Sequence, residues 1–484
     1  MRFKYLFIII GIGIVVGVVQ YCSPVPPPPP VADNGPWIMP GDVKNTTKAT
    51  QVDYNDFAYQ SFIALNWPAK QGEGSNRGEP DTTKKLGAQG PVVWMTYKRP
   101  SEVFLENAKT PNGWNAPPPP PPSNCPPEAA KATIFYRAAK ASDNTIDELT
   151  QAGFPGGDEL VGALVDQNQE YVWYELAFNQ SWFEYILKYQ FYNAKEQEKY
   201  TTKGEGKIPD LPKTGKESDL PKLPFYAQQG VVEIKASWRI LKDNDIKERY
   251  YRTQGYIVDP QGNCDPKPKD MGLVGLHILR LTTTTPNTWF WATFEQVDNV
   301  EIKGTPPTQS NGQSLTPSFN PGPDGTKPPP YLGGYIINGK MTELPKPLPA
   351  DEPLPPINER PKVNVSRLHN IPENATTADA KYRDKLKDTV WQYYHLVGTQ
   401  TPITSDVSSK CWVAGHHTEE DENMVDKPGY KINACNLANT TMETYVQGTS
   451  CVECHAYAAP IGDQGAKYPT NQIFTFMLLN AKRP

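Results

Sequence analysis

The chain has no excess of basic charge: 48 Lys and Arg stand against 53 Asp and Glu, a net charge of −5. That excludes a strongly basic nucleic-acid binder. Long apolar runs are missing beyond the N-terminus, and the mean hydropathy of −0.59 excludes a polytopic membrane protein. No internal repeat recurs at a fixed period. No phosphate loop or dinucleotide fingerprint is present, and no nucleophile–base pair can be argued from chain order. Histidine is scarce, at six residues, with seven cysteines and eight methionines, so candidate ligands can be enumerated. Glycine (36) and proline (51) together stay below a fifth of the 484 residues. A disordered low-complexity chain would carry ~25–30%.

What is present is a folding chain with stiff connections. Aromatics make 11%, including 11 Trp and 25 Tyr, enough large rings to bury a core. The length allows two to four domains, or one large domain with insertions. Arg2 and Lys4 precede an uncharged run from Tyr5 to Tyr21. This is the pattern of an export signal, and it sits at the lower limit of the ~17–25 residues a membrane span needs. Residues 1–23 are therefore expected to be a signal peptide or membrane anchor. Cys22 stands where a lipoprotein signal is cut and acylated, although Tyr21 is large for that position. Uncleaved anchor and lipid anchor both remain open, with soluble secretion behind them. Pro24 and Pro26–Pro30 predict a polyproline II stalk over 24–50.

The body expected over 51–303 is rich in strands. Asp56–Trp67 reads as a helix stopped by Pro68. Val92–Lys98 reads as a strand, Leu160–Asp166 and Glu170–Phe178 as a strand pair. Ser181 and Glu184 suggest a capping box for a helix to about Tyr200. Val231–Leu241, Arg249–Val258, Leu273–Leu281 and Thr288–Glu295 suggest an antiparallel meander. A six-proline run, Pro117–Pro122, reads as a surface loop, and 304–361 as a Pro-rich irregular connection. Ala378–Val397 reads as a helix with Tyr382, Leu386 and Val390 near one face. The fold class is thus a β-rich α+β protein: an antiparallel sheet body with Pro-rich loops and a mostly helical or irregular C-terminal region over 362–484.

Cys451-Val452-Glu453-Cys454-His455 is a C-x-x-C-H motif. Two thiols at this spacing can each add across one haem vinyl group, and the next histidine can ligate the iron. A redox C-x-x-C would want a thioredoxin-like βαβ context, which the sequence does not show. A zinc site would want a second paired set, for which Cys411 with His416 or His417 is only a loose candidate. On this motif the chain resembles c-type cytochromes. The runs SFIALNWP (61–68), GLVGLHI (272–278), WFWATFEQVDN (289–299) and ANTTMETYVQ (438–447) are together similar to large bacterial proteins grouped only as a cytochrome c family. The resemblance implies one covalent haem c per chain and a C-terminal haem-bearing segment, and names no substrate.

Only residues 456–484 follow His455, so the haem must dock on the upstream body. The sixth ligand has several candidates. His277 shares a strand face with Leu273, Gly275, Leu279 and Leu281, and Gly275 would let a flat ligand approach. Met477 and Met442 are the others, along with an open position or another histidine. Trp289 and Trp291 would suit a haem wall. Glu295 and Asp298 could act as distal acid–base groups in an open site, or be a strand-end carboxylate and a turn residue. His369 and His395 show no partner pattern, and His416-His417 lies in an acidic loop.

Cys22 and the motif leave Cys125, Cys264, Cys411 and Cys435, which allow three pairings. Cys411–Cys435 is the simplest local pair and leaves Cys125–Cys264; four buried thiols are the alternative. The reading is an exported, membrane-anchored monohaem cytochrome at the cell envelope, facing the periplasm or exterior. It would pass electrons to a partner protein or small acceptor. A haem enzyme of the peroxidase or small-gas reductase type is the first alternative, and a protein with a purely structural haem the second.

Overall fold

The computed structural model describes residues 35–43, 49–137, 152, 163–201, 208–212, 223–259, 261–281, 289–321, 334–337, 340–341, 348, 352–403, 411–413, 430–432, 434, 436–448, 450–455, 458–462 and 475–484. The N-terminal signal or anchor and the proline stalk up to 34 lie outside these residues, as do His416, His417 and Cys435. Among the described residues no helix is long and apolar enough to cross a membrane.

Helix α1 spans Gln51–Leu65. It begins earlier than expected because Thr50 and Asp53 form a capping box: Thr50 N donates to Asp53 Oδ2 at 2.8 Å, and the Thr50 hydroxyl accepts from Asp53 N. The segment expected as a strand at Val92–Lys98 is a 3₁₀ turn, Val93–Thr96. Trp94 is buried there with its indole N–H on Asn66 Oδ1 at 3.0 Å, and the Thr96 hydroxyl closes the turn on Val93 O. Strands β1 (Thr133–Tyr136) and β2 (Trp173–Phe178) follow, then helices α2 (Gln180–Lys188) and α3 (Ala194–Glu198). The expected single helix to Tyr200 is thus two. Its N-cap is Asn179, whose side chain accepts from Trp182 N, in place of Ser181.

The four strong strand signals become β3 (Val232–Ile240), β4 (Arg252–Val258), β5 (Lys269–Leu281) and β6 (Trp289–Gln296). They do not form a simple meander. β5 takes β3 on one edge and both β4 and β6 on the other. β1 pairs with β4 in parallel, so the seven-stranded sheet is mixed where an antiparallel one was expected. Phe135 of β1 packs on Trp173 of β2 at 6.2 Å, curling the sheet nearly back on itself. Cys125 and Cys264 form a disulfide, the long-range pairing left over by the cysteine arithmetic. The proposed Cys411–Cys435 pair involves a residue outside the described ones.

The Pro-rich connection contributes β7 (Gly334–Ile337) and β8 (Lys340–Met341), which join β9 (Lys362–Asn364) in a small sheet. The helix expected over 378–397 is instead α4 (Glu373–Leu386), a 3₁₀ turn and strand β10 (Tyr394–Gln400). Tyr382 and Leu386 are buried on one face, as their spacing requires, but the chain leaves the helix at Lys387 and Asp388 takes φ 61°. β10 joins the main sheet beside β6. Beyond it lie β11 (Pro402–Ile403), β12 (Cys411–Val413), β13 (Tyr430–Ile432) and α5 (Cys451–His455).

The two faces of the main sheet are covered differently. α1 and α4 cover one. Phe62 stacks on Phe294 at 4.1 Å, Phe57 meets Phe290 edge-on at 5.0 Å, and Tyr59 stacks on Tyr382 at 4.6 Å. The C-terminal segment from Leu437 onward covers the other.

Candidate functional site

Directly paired residues on adjacent strands point to the same face. The register therefore sets three rows on the face under the C-terminal segment. Phe178, Glu233, Leu279, Trp291 and Gln400 form the first. Leu176, Lys235, His277, Thr293 and Gly398 form the second. Tyr174, Ser237, Gly275, Glu295 and His395 form the third. The polar members are buried, apart from a partly covered Lys235. Burial of polar groups is costly unless each finds a partner.

The segment 439–443 supplies those partners. Asn439 Nδ2 donates to Thr293 Oγ1 at 2.9 Å. Thr440 donates from its backbone N to Glu295 Oε1 at 2.6 Å and from its hydroxyl to Oε2 at 2.9 Å. Thr441 Oγ1 and Ser237 Oγ lie 2.6 Å apart, and Tyr174 OH donates to Thr441 O at 2.6 Å. Gly275 permits this approach: a Cβ there would lie 2.6 Å from both Ser237 Oγ and Thr441 Oγ1. What approaches Gly275 is this segment, where a flat ligand was expected.

Glu443 Oε1 lies 2.9 Å from His277 Nε2, and its Oε2 accepts from Asn439 N at 2.8 Å. Burial pushes this carboxyl up, but His277, Lys235 and the Asn439 N–H together hold it below the usual glutamate value. Glu443 is therefore a carboxylate and His277 donates from Nε2. That leaves Nδ1 as the ring nitrogen that Glu443 does not engage. Lys235, across the strand from His277, has its ammonium 5.5 Å over the Tyr174 ring. Burial lowers its pKa, against the pull of Glu443 and Cys454.

The C-x-x-C-H sequence forms the short helix α5. Cys451 and Cys454, three apart, lie on one side of it. The buried Val452 anchors it, with Val452 N donating to Gln400 Oε1 at 2.8 Å. Gln400 Nε2 donates in turn to Ala434 O at 2.8 Å. The His455 ring packs against Trp291 at 5.6 Å and Phe476 at 5.2 Å. Burial, then Glu443 and Cys454, push the Cys451 thiol well above the ordinary cysteine value. A thiol so held is not a ready thiolate nucleophile for disulfide exchange. In the same row as Trp291, burial pushes Glu233 up to about 7, although Thr475 Oγ1 (2.6 Å) and Trp182 Nε1 (3.2 Å) donate to it.

Cys451, Cys454 and His455 thus lie together, one strand row from His277. Both candidate methionines are buried: Met442 precedes Glu443, the partner of His277, and Met477 follows Phe476, the neighbour of His455. Trp291 is a wall of the His455 side. Glu295 and Asp298 are engaged structurally. Glu295 is bound by Arg367 and Thr440, and Asp298 by Arg249 at 2.5 and 2.6 Å. His369 is exposed. Among the described residues no three His, Cys, Asp or Glu side chains gather into a metal cage.

Lys235, Glu233 and Glu443 were not singled out by sequence reasoning. The signal for the first two was present: they alternate with Val232, Ile234 and Ala236 at strand period. Nothing local marks Glu443, which is fixed by its reach to a strand 166 residues away.

No family model, no curated protein and no solved structure matches the chain.

Proposed function

We propose that the protein is an exported monohaem c-type cytochrome that transfers electrons at the cell envelope. The observation that carries this reading is the C-x-x-C-H motif itself, on one helical turn with both thiols on the same side, docked on the sheet by Val452 and Gln400. Cys451 and Cys454 would attach the haem c and His455 would be its proximal ligand. Trp291 and Phe476 restrain that imidazole from two directions. When bound, the haem supplies a one-electron iron couple.

His277 is the second axial candidate, through Nδ1, because Glu443 engages its Nε2. An imidazole that donates its other N–H to a carboxylate is a common arrangement behind metal ligands, fixing the tautomer and raising basicity. The donor set therefore fits a haem iron. On this reading the C-terminal region is the haem-bearing segment, a redox protein or small acceptor is the partner, and the N-terminus holds the chain at a membrane.

Expression with haem maturation tests the proposal. After acid–acetone extraction the haem should remain on the protein, and Cys451→Ala with Cys454→Ala should lose it. Extraction of all haem from the wild type would refute the covalent attachment. His277→Ala should convert low-spin iron to high-spin and admit CO to the ferrous form. An unchanged spectrum would eliminate His277 as ligand.

A further inference from the structure

A cavity of about 230 Å³ lies at the edge of the sheet, where α4 runs along β10. It is smaller than the ~300–1,000 Å³ of drug-sized sites, so it selects a small molecule. Thr376, Asp379, Arg383 and Leu386 line it from α4. Their spacing places them on one stripe of the helix.

The polar groups of this stripe are held but not consumed. Asp379 Oδ1 accepts from Tyr59 OH and from Leu396 N, the latter at 2.9 Å. Its Oδ2 accepts nothing from the described residues. Arg383 stands one helical turn on, at the i+4 position of the same stripe, close enough to act on the Asp379 carboxyl, and it has no salt bridge among the described residues. His395 also lines the cavity, is nine-tenths buried, and its Nε2 has no hydrogen-bond partner in the described protein. Ile302, Ile371 and Leu386 add apolar wall. A carboxylate acceptor and a guanidinium sit one helical turn apart beside an aliphatic surface. A ligand matching all three carries an ammonium, a carboxylate and a branched hydrocarbon chain within a few ångströms.

We propose that this cavity binds a free α-amino acid with a branched aliphatic side chain. Arg383 takes the carboxylate, Asp379 Oδ2 takes the ammonium, and Ile302, Ile371 and Leu386 take the side chain. His395 Nε2 offers a further polar partner, donor or acceptor by tautomer, on a ring whose pKa burial lowers to about 4 and which is therefore neutral. The site is independent of the haem reading.

The groups facing Asp379 set a pH dependence. Burial raises its carboxyl to about 6, opposed by the hydrogen bonds from Tyr59 and Leu396 and by Arg383. Tyr59 is raised far above its ordinary value and stays protonated. His395 is neutral above its own lowered pKa. Asp379 therefore titrates at the site near pH 6, and binding of an ammonium weakens as pH falls through that value.

Calorimetric titration of the full chain with L-leucine tests this, beside 4-methylpentanoate, which lacks the ammonium, and 3-methylbutylamine, which lacks the carboxylate. L-leucine should saturate one site, and each truncated analogue should bind at least tenfold more weakly. Arg383→Gln, at an exposed position of α4, should weaken L-leucine at least tenfold. Asp379→Asn should do the same at neutral pH and abolish the loss of affinity on acidification. No binding of L-leucine at millimolar concentration, equal binding of either analogue, or unchanged affinity in Arg383→Gln would each overturn the assignment.

Discussion

The two faces of the main sheet are built from the same strands and do different work. On the face under α1 and α4 stand the buried Val232, Ile234, Ala236, Leu276, Ile278, Phe290 and Phe294, the last two against rings of α1. Arg280, on the same face, bonds Ser61 at 2.9 Å and lies over the Phe57 ring; burial brings its guanidinium down to about 10. On the face under the C-terminal segment, Glu233, Lys235, Ser237, His277, Thr293 and Glu295 occupy the alternate positions. Apolar burial is non-directional and scales with area, roughly 25 cal/mol per Å². A hydrogen bond contributes only ~0.5–1.5 kcal/mol net but demands geometry. The first face therefore supplies stability, and the second supplies position. It fixes where residues 439–455 lie, and so where Cys451, Cys454 and His455 lie.

The largest effect should come from the helix face. Phe62 is fully buried between Phe294, Tyr59 and Trp391. Phe62→Ala should cost ~3–5 kcal/mol in denaturant unfolding. The residual folded protein should keep the spectrum of any attached haem. A shifted spectrum at low denaturant would show that the faces are not separable.

The next effect belongs to the polar face and depends on pH. Glu233 rises from 4.5 to about 7 on burial. The folded state then binds the proton more tightly than the unfolded state. Stability from this group is full below the unfolded value and is lost as pH rises through the folded one, about 3 kcal/mol in all at 1.36 kcal/mol per unit. The stability of the wild type relative to Glu233→Gln should fall by that order between those two values. A difference constant with pH would mean that Glu233 is ionised in the fold.

How far these faces were legible in sequence follows from the same contrast. Strands β3 to β6 were readable because β-branched and aromatic runs end at turn residues. The partner strand of β3 was not, since loop length does not state whether β4 or β5 takes that edge. The helix expected to reach Val397 failed because Tyr394–Val397 is apolar enough for either period; the edge of β6 decided it. Of the candidate site, Cys451, Cys454 and His455 are a contiguous motif and were legible at once. His277 was legible as a face position. Its bond to Glu443, and the covering of Gly275 by Thr441, were not. A polar strand face reads identically whether water or a distant segment covers it.

Gly275→Ala probes that covering directly. Its Cβ would meet two hydroxyls at 2.6 Å. Overpacking of this kind costs ~1–3 kcal/mol, and here the strain falls on the 439–443 segment. The variant should unfold at lower denaturant and perturb the His277 environment, read as a change in the spin state or in the histidine NMR signal. Full wild-type stability would mean that the segment stands farther from the strand.

Thr441→Val should have the smallest effect, and the most local one. The swap keeps the shape and removes the hydroxyl that meets Ser237 Oγ and donates to Asn439 Oδ1 at 2.8 Å. One such loss costs ~1 kcal/mol, somewhat more if Ser237 is left without a partner. The backbone bond from Tyr174 OH to Thr441 O survives, so the segment stays docked. Hydrogen exchange should then quicken over 439–447 while protection of α1 and of β3 to β6 is unchanged, because apolar packing on the far face carries those elements. If protection of α1 fell equally, the two faces would open as one unit. The polar face would then be stabilising the fold as a whole, and its role as the element that positions the C-x-x-C-H turn would lose its physical basis.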